Sequence, residues 1–496
     1  MLRLTSEERT FFTLVGQAVA ANPFSRERTE VDLRIAGLPS GHSDSQRVGT
    51  VIEVVRQRIE SLESRLRGGL QDLGDQDRHL AANAFLFDVF HRYIVQFDAL
   101  IEKQLDAGHQ SQRVPFAPEA IQLLQRRGFS APEALRYFEL SFQLRRAFFF
   151  IQKNLVGCSP CMQKLRESLW NNVFTHNIHW YDRYLWNRME DFSTLILGPT
   201  GAGKGTAAAA IGRSGYIPFD IQKGCFVQSF TDSLISLNLS QFSQTLIESE
   251  LFGHKKGAFT GAVADYKGVL DRCSQFGSIF LDEIGEVDET VQIKLLQVLQ
   301  ERSFTPVGSH QSHRFSGRVI AATNRPLAQI RSRKILRDDF FYRLCSDVIL
   351  VPGLAQRIAE DQKELEDLLA HTVARILGKP SAELTGMLLE AIIRQPGIDY
   401  SWPGNVRELE QCVRRILLNH RYAPESIAGS DENHFAGAMT SGELDAQGLL
   451  AGYCLNLYRR LGTFEAVARQ TRLDRRTVKK YIHEGKRLFE NQSFGG

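Results

Sequence analysis

The 496-residue chain lacks long hydrophobic runs, and nowhere do apolar residues approach the roughly 18 that a membrane-spanning helix needs. Its first residues, MLRLTSEERTFFTLV, also lack the continuous apolar core of a secretory signal peptide. Cysteine is scarce, with seven residues spread through the chain, which is an odd number. We therefore expect a cytoplasmic protein that has no membrane partner and whose cysteines are free thiols.

One cysteine pair has a spacing that is common in redox and metal sites, Cys158-Ser159-Pro160-Cys161. The sequence lacks a second C-x-x-C, and it lacks a histidine pair at zinc spacing. A redox pair and half of a metal site remain open, but the isolated motif favours two structural cysteines.

A strong net charge is also missing, because 60 Lys and Arg stand against 57 Asp and Glu, giving +3. This balance excludes a chain that binds nucleic acid over its whole surface. The charge is uneven, however. Residues 451–496 contain ten Lys and Arg but four Asp and Glu. A basic C-terminal module on a nearly neutral body is typical of an appended nucleic-acid contact.

The segment from Ser193 to Ala210, STLILGPTGAGKGTAAAA, predicts a buried strand, a glycine-rich loop and a helix. In a phosphate-binding loop of this kind, backbone N–H groups surround the phosphates and the lysine, here Lys204, reaches the β and γ oxygens. Gly205 stands where the usual motif has Ser or Thr for magnesium, and Thr206 follows one position late. We assign ATP to this loop, with the candidate binding residues Gly198, Pro199, Thr200, Gly201, Ala202, Gly203, Lys204, Gly205 and Thr206.

A second strand-like run, Ile279-Phe280-Leu281, ends in two adjacent carboxylates. Asp282 can hold Mg²⁺ through its water shell, and Glu283 can polarise an attacking water as a general base. A solvated turn is the alternative for such a pair. Its position directly after an apolar strand favours the nucleotide site.

Further polar residues follow at the ends of predicted elements. A third strand-like run ends at Asn324, which can sense the γ-phosphate or orient the water. Arg337 and Arg343, on a predicted helix, are either surface residues or groups that stabilise phosphoryl-transfer charge, often across subunits. Arg407 lies in the first turn of a helix after Trp402-Pro403-Gly404-Asn405, where it can reach a nucleotide.

These motifs, in this order, resemble the AAA+ ATPase domain of the bacterial enhancer-binding proteins that activate sigma-54 RNA polymerase, over about residues 156–418. The most specific part is residues 248–254, ESELFGH, followed by Gly257, Ala258, Phe259, Thr260, Gly261 and Ala262. The resemblance implies that this second segment, the GAFTGA loop, touches the sigma factor in certain nucleotide states. Its two glycines make it mobile, while Phe259 and Thr260 offer an apolar and a hydrogen-bonding contact.

By the same resemblance, Lys204 belongs to the Walker A motif, and Asp282 and Glu283 belong to Walker B. Two departures affect nucleotide affinity and coupling. Gly205 replaces an acidic residue that is common in the family, and Lys255 replaces a common glutamate just before the GAFTGA loop.

The resemblance also implies that Asn324 is sensor I and Arg407 is sensor II. Arg337 and Arg343 would be arginine fingers given to the neighbouring subunit of a homo-oligomer, expected to be a hexameric ring. Such a protein is an ATPase that uses ATP and Mg²⁺ to remodel sigma-54 RNA polymerase. The segment Trp170 to Arg188, WNNVFTHNIHWYDRYLWNR, is unusual at its place in this family. The open alternatives are a hydrolysis-deficient AAA+ DNA-binding repressor or co-regulator and, more distantly, a protein unfoldase.

The C-terminal residues predict a helix-turn-helix. Apolar side chains fall where such a motif buries its core, namely Phe464, Val467, Ala468, Leu473, Val478 and Ile482. Asp474 can cap the third helix. The residues left to face double-stranded DNA at an upstream activator site are Arg475, Arg476, Thr477, Lys479 and Lys480. A basic three-helix packing module is the alternative.

The N-terminal residues carry apolar side chains at helical spacing, including Phe85, Val89, Tyr93, Phe97 and Ile101, and an aromatic-rich stretch at 131–154. Such stripes are more often core or subunit interface than a ligand pocket. The strand-end aspartates of a receiver domain are missing, which argues against aspartyl phosphorylation.

We therefore predict a multidomain chain. It comprises a mainly helical regulatory domain (1–153), an α/β AAA+ P-loop ATPase subdomain (154–350), a helical lid (351–420), a linker (421–447) and an all-α helix-turn-helix domain (448–496).

Overall fold

The computed structural model describes residues 2–39, 41–397, 399–419 and 444–489. The chain divides into two compact units between His420 and Arg421. None of the helices within these ranges is long and apolar enough to cross a membrane.

The first unit begins with helices, as the apolar spacing predicts. They are α1 (Ser6–Ala20), α2 (Arg26–Ala36), α3 (Asp44–Glu63), α4 (Asp75–Arg92), α5 (Ile94–Ala107), α6 (Ala117–Arg126) and α7 (Ala131–Asn154). The stripe from Phe85 to Ile101 is buried as predicted, but it spans two helices that meet at Tyr93. At the start of α1, Thr5 and Glu8 form a capping box that satisfies backbone N–H groups of the first turn.

Strands and helices then alternate. The strands are β1 (Thr194–Leu197), β2 (Phe219–Asp220), β3 (Cys225–Phe226), β4 (Leu234–Asn238), β5 (Ser278–Asp282), β6 (Ser303–Phe304), β7 (His313–Arg314), β8 (Arg318–Thr323) and β9 (Asp347–Leu350). The helices among them are α8 (Pro160–Phe174), α9 (Ile178–Trp180), α10 (Lys204–Gly212), α11 (Gln244–Phe252), α12 (Val269–Arg272), α13 (Glu289–Glu301), α14 (Leu327–Ser332) and α15 (Asp338–Leu344). A π-helical turn, Tyr181–Leu185, continues α9.

The long strands form one parallel sheet in the order β4-β5-β8-β1-β9. Every residue of β1 and of β8 is buried, as expected for a parallel sheet that helices cover on both faces. Because β8 lies between β5 and β1, the carboxyl ends of the three strands predicted to carry the site meet at one edge. The pairs β2–β3 and β6–β7 are antiparallel.

One hydrophobic core runs from the N-terminal helices into this sheet. On α7, the Phe138 ring packs on Phe219 at 5.2 Å between centroids, and the Phe142 ring stacks on Phe226 at 4.3 Å. The aromatic stretch is therefore core. Residues 1–153, predicted as a separate domain, lie in the same compact unit as the ATPase fold, and residue 153 is not a break between units.

The first unit ends in the predicted helical lid, with α16 (Leu354–Glu360), α17 (Lys363–Leu377), α18 (Ala382–Arg394) and α19 (Asn405–Asn419). The buried Glu364 carboxylate fixes this lid to the chain before the sheet. It accepts hydrogen bonds from the Arg357 guanidinium at 2.6 Å and from the Ser159 N–H at 2.7 Å.

The described part of the second unit contains α20 (Ala446–Leu461), α21 (Phe464–Thr471) and α22 (Arg475–Phe489). All six predicted core side chains belong to its hydrophobic cluster. Helix α20 starts two residues inside the predicted linker, because the Asp445 side chain caps it by accepting from the Gly448 N–H at 2.7 Å. The rest of that linker, up to residue 443, and residues 490–496 lie outside the described ranges.

Candidate functional site

The glycine-rich loop joins the end of β1 to the start of α10, as predicted. Gly201 and Gly203 have φ of 77° and 105°, a conformation that favours glycine. Space is short as well. A Cβ on Gly201 would lie 2.2 Å from the Gly404 carbonyl oxygen, and one on Gly198 would lie 2.7 Å from that of Val351. The loop is thus a tight backbone cradle at the amino end of a helix.

Lys204 occupies this cradle. Its ammonium donates hydrogen bonds to the carbonyl oxygens of Gly198 at 3.0 Å and Pro199 at 3.3 Å. Burial lowers the pKa of Lys204, while the nearby Glu283 and Asp282 carboxylates oppose that shift. A buried cation at a helix N-terminus, enclosed by glycine backbone, fits the phosphates of a nucleotide.

The two predicted carboxylates lie at the end of β5. Asp282 is its last residue, and Glu283 follows with φ of 57°, which is rare outside glycine and typical of functional sites. The Glu283 N–H donates to Asp282 Oδ1 at 3.1 Å. Carboxylate oxygens are the donors that Mg²⁺ prefers, so this pair fits the predicted metal.

Asn324, directly after β8, joins these carboxylates to the loop. Its N–H faces Glu283 Oε2 at 3.4 Å, and its side-chain amide donates to Thr200 Oγ1 at 3.2 Å. The structure thus places Glu283, Asn324 and Thr200 in one row across three parallel strand ends.

Asn405 is a site residue for which the sequence suggested no role of its own. Its Nδ2 donates to the Thr200 carbonyl oxygen at 3.0 Å, and its Oδ1 accepts from the Leu354 N–H at 2.8 Å. The side chain therefore ties the phosphate loop to the first and last helices of the lid. The available signal was an asparagine at a helix start, where it adopts φ of 54°.

Arg407 follows two residues later on α19. A Cβ built on Gly201 would lie 3.0 Å from the Arg407 Cβ, so this part of the lid passes directly beside the loop. The position agrees with the prediction that Arg407 can reach a nucleotide.

Arg337 and Arg343 have other surroundings. Arg337 is not on the predicted helix but precedes α15 as its N-cap residue, and its guanidinium pairs with Asp339 at 3.0 Å and with Glu289. Arg343 lies in the last turn of α15 and donates from Nε to the Leu299 carbonyl oxygen at 3.0 Å. Within one chain, these contacts hold both arginines against α13 or its neighbours.

The GAFTGA loop connects α11 to α12 and folds back on itself. The Gly257 N–H donates to the Ala262 carbonyl oxygen at 2.8 Å, and the Ala262 N–H donates to that of Phe259 at 3.0 Å. Gly257 and Gly261 have φ of 82° and 102°. The two glycines permit the turn.

The tip of this loop rests on its base. The Phe259 ring is half-buried and lies 4.9 Å from the His254 ring, whereas Thr260 is exposed. The unusual Lys255 pairs with Asp265 at 2.8 Å, which closes the base of the loop.

The second unit shows which predicted DNA contacts are free. Arg476, Lys479 and Lys480 are exposed on α22. Asp474 caps this helix as predicted, accepting from the Thr477 N–H at 3.0 Å. The Thr477 hydroxyl also donates to Asp474, so this residue is engaged in the cap.

Arg475 is likewise partnered, since it pairs with Glu465 of α21 at 3.0 Å. Among the residues that the structure describes, the unpaired members of the predicted basic surface are therefore Arg476, Lys479 and Lys480 on α22.

The cysteine pair lies at the start of α8, against the lid. The Cys158 thiol donates to Asp361 at 3.3 Å, and desolvation together with that carboxylate raises the pKa of Cys158 to about 11. The Cys161 N–H donates to Glu360 at 2.7 Å. Within the described ranges, no three His, Cys, Asp or Glu side chains are grouped to hold a metal. A thiol that resists ionisation is a poor nucleophile, which favours the structural interpretation.

The fold is that of an AAA+ P-loop domain. It has a five-stranded parallel sheet, a phosphate loop after the fourth strand in spatial order and a helical lid. Paired carboxylates lie at the end of β5, and a polar residue follows β8. Comparison with known proteins agrees. The family model described as the Sigma-54 interaction domain matches residues 181–349. Residues 181–349 of this chain are therefore similar to the Sigma-54 interaction domain.

Similar proteins include a Nif-specific regulatory protein of Azotobacter vinelandii, 39% identical over 288 residues, which are 56% of this chain and 47% of that protein. The DNA-binding transcriptional regulator NtrC of Azospirillum brasilense is 37% identical over 269 residues, covering 53% of this chain and 48% of that protein. The solved structure of NtrX from Brucella abortus in complex with ATP has 20% identity and a TM-score of 0.40, covering 75% of this chain and 80% of that one. The chain spans about half the length of the curated relatives it matches.

Proposed function

We propose that this protein is a sigma-54-dependent transcriptional activator. It binds an upstream DNA site through α22, assembles into a homo-oligomeric ring and hydrolyses ATP to remodel the closed complex of RNA polymerase. The observation that carries the proposal is the row of Glu283, Asn324 and Thr200 at the phosphate loop, in the same domain as a GAFTGA loop.

The residues of the site divide the work of phosphoryl transfer. The loop N–H groups and Lys204 would hold the phosphates of ATP. Asp282 would hold Mg²⁺, which supplies charge neutralisation when bound. Glu283 accepts the proton of the attacking water. Asn324 keeps that carboxylate in register with Thr200, because its backbone N–H faces Glu283 and its side-chain amide donates to Thr200.

The arginine contacts support assembly. Arg337 is half-exposed and balanced by Glu289 and Asp339 within its own chain. A neighbouring subunit that presents nucleotide phosphates would compete for this guanidinium, because Arg pairs strongly with phosphate oxygens. The proposed ring therefore completes each site across a subunit boundary.

The GAFTGA loop would contact the sigma factor. Its glycines permit a second conformation, and the half-buried Phe259 can leave His254 at the modest cost of one ring contact. Once released, Phe259 and Thr260 would present an apolar and a hydrogen-bonding contact to the sigma factor.

The test is ATP-dependent open-complex formation on a sigma-54 promoter with the full chain, beside ATP turnover and nucleotide binding. Lys204→Ala should abolish binding. Glu283→Gln should keep binding while turnover falls about 10²- to 10⁴-fold, the usual contribution of a general base. Glu383→Gln, an exposed glutamate on α18, is the control and should change neither. Turnover that survives both site variants would reject the site.

Thr260→Ala separates the loop from the ATPase. We expect near-normal turnover but no open complex, because Thr260 is exposed and remote from the phosphate loop in sequence. Thr10→Ala, an exposed threonine on α1, is the matched control. If Thr260→Ala also ended turnover, the loop would be structural.

A second candidate is a DNA-binding repressor or co-regulator without productive hydrolysis, since Gly205 lacks the hydroxyl usual after the loop lysine. DNA and nucleotide binding by the wild-type chain without turnover would establish it instead.

A further inference from the structure

A cavity of about 410 Å³ lies at the end of the sheet opposite the phosphate loop. We call it the base cavity. It opens among the starts of β5 and β8, the end of α10, helix α7 and the segment after α9. The proposed ATPase mechanism uses none of these surfaces.

The unusual segment found in the sequence forms one wall of the base cavity. Here α9 passes into the π-helical turn Tyr181–Leu185, and Tyr181 and Trp186 both line the cavity. π-helical turns are rare and frequently occur at functional sites. The Trp186 ring meets Tyr216, which follows α10, edge to face at 4.7 Å, and Arg136 covers Trp186 at 5.3 Å. The wall is therefore aromatic and held in place.

The floor contains the hydrogen-bonded pair Gln143 and Tyr181, and the lining also includes the uncharged polar residues Asn187, Gln275, Ser278 and Ser316. Gln143 and Tyr181 are each about 1% exposed, and the Gln143 amide donates to the Tyr181 hydroxyl at 2.6 Å. The charged lining residues are Glu190 and Arg318, one of each sign. The cavity therefore matches a neutral molecule with an aromatic body and one polar end.

Its size is sufficient for such a molecule. An apolar cavity of about 150 Å³ holds benzene. The base cavity, at about 410 Å³, has room for one or two fused rings.

The same residues hold the helix that carries the phosphate loop. The Gln143 amide donates to the Ser214 carbonyl oxygen at 2.9 Å. The buried Arg146 donates to the carbonyl oxygens of Arg213 at 3.0 Å and Gly215 at 2.6 Å. Helix α10, with Lys204 at its other end, is about 13 Å long. A ligand against Gln143 and Tyr216 would thus press on one end of a short rigid element whose other end forms the nucleotide site.

We propose that the base cavity binds a neutral small molecule with a one- or two-ring aromatic body and a hydrogen-bonding end, and that occupancy changes nucleotide affinity through α10. The binding part stands apart from the proposed ATPase, whereas the coupling part depends on the proposed nucleotide site.

The experiment is calorimetric titration of the full chain with phenol, indole and 2-naphthol, in the absence of nucleotide. At least one probe should bind more tightly than about 1 mM. The anion 2-naphthalenesulfonate should bind at least about tenfold more weakly than 2-naphthol, because the lining has no net charge. The affinity of a fluorescent ADP analogue is then measured with and without the best probe, and by linkage both ligands should shift each other by the same factor.

Ser316→Phe locates the site, because Ser316 lines the cavity and is only half-buried. It should weaken probe binding at least about tenfold. Ser61→Phe, an exposed serine on α3, should leave binding unchanged. Trp186→Ala removes the aromatic wall and should also weaken binding, which keeps the test valid if Ser316→Phe fails to fold.

Three results would overturn the proposal: no probe binds, the folded variants bind as the wild type does, or a bound probe leaves ADP affinity unchanged. If the protein bound the probes but did not bind ADP, the nucleotide site would be rejected, whereas the proposed ligand site in the base cavity would be supported.

Discussion

Two glycines of the phosphate loop differ in what surrounds them. At Gly201 the backbone is left-handed, and a methyl group would meet the Gly404 carbonyl oxygen at 2.2 Å. At Gly205, in the first turn of α10, a methyl group would meet only the Phe280 ring at 3.9 Å. The surrounding space therefore requires glycine at position 201, whereas position 205 has room for a larger side chain.

We predict opposite effects from the same substitution. Gly201→Ala should lower the free energy of unfolding by about 1–2 kcal/mol or more from backbone strain alone, and weaken ADP binding at least about tenfold. Gly205→Ala should raise the free energy of unfolding by about 0.5–1 kcal/mol, since Ala loses less entropy in a helix. Urea unfolding and ADP titration of both variants check this, and equal effects would show that the close contact at Gly201 relaxes easily.

Residues whose role is local could be predicted from the sequence. Asp282 ends one apolar strand, Asn324 directly follows another, and the glycine loop with Lys204 follows a third, so their common edge follows from parallel pairing. Asn405 could not be found this way, because it lies 205 residues from Thr200 and its spacing carries no signal. The position of Arg337 before α15 could not be predicted either, because the charge pattern does not distinguish the start of a helix from its interior.

Among the secondary-structure elements, the joint between phosphate loop and lid depends on few groups. Asn405 supplies both a donor to the loop and an acceptor to the start of α16, and it is buried. Neither partner has a replacement side chain in these contacts. At the phosphate loop the joint between sheet and lid therefore rests on one amide, whereas Glu364 holds the lid to the chain before the sheet.

Replacing that amide should loosen the joint. Asn405→Ala removes this partner from the buried Leu354 N–H, at about 1–3 kcal/mol, and from the part-buried Thr200 carbonyl oxygen, and it places alanine in a left-handed conformation. Asn405→Asp keeps the acceptor for Leu354 but loses the donor to Thr200, so it should fall between alanine and wild type. The melting temperature and the ADP affinity of each variant are the measurements. If the alanine variant matched the wild type in both, other contacts would be sufficient to hold the lid.

The helical spacing of apolar residues predicts the N-terminal helices, but it does not predict which elements pack against them. The spacing of Phe85, Val89 and Phe97 says that one face is buried, without saying against what. Phe138 and Phe142 bury theirs against the β2–β3 pair, more than 75 residues away along the chain. The sequence therefore predicts the N-terminal helices but not the core that they share with the sheet.

For the whole molecule, the core predicts where the chain can be cut. A fragment of residues 155–496 would expose the sheet-side surface that α7 covers. We expect it to bind 8-anilinonaphthalene-1-sulfonate and to melt broadly or aggregate. A fragment of residues 1–443, which keeps the first compact unit entire, should melt as that unit does in the full chain while losing DNA binding. Sharp, full-chain-like melting of the 155–496 fragment would show that the two parts fold independently.

The shared core also bears on how such a regulator can be rebuilt. The C-terminal helices have a core of their own, so under the proposed function they can be exchanged as a unit to direct the protein to a different DNA site. The N-terminal helices cannot be exchanged in the same way, because a replacement must reproduce the aromatic face of α7 that packs on the β2–β3 pair. Replacing the N-terminal helices therefore requires the design of a new interface with the sheet, and joining another domain to the chain is not enough.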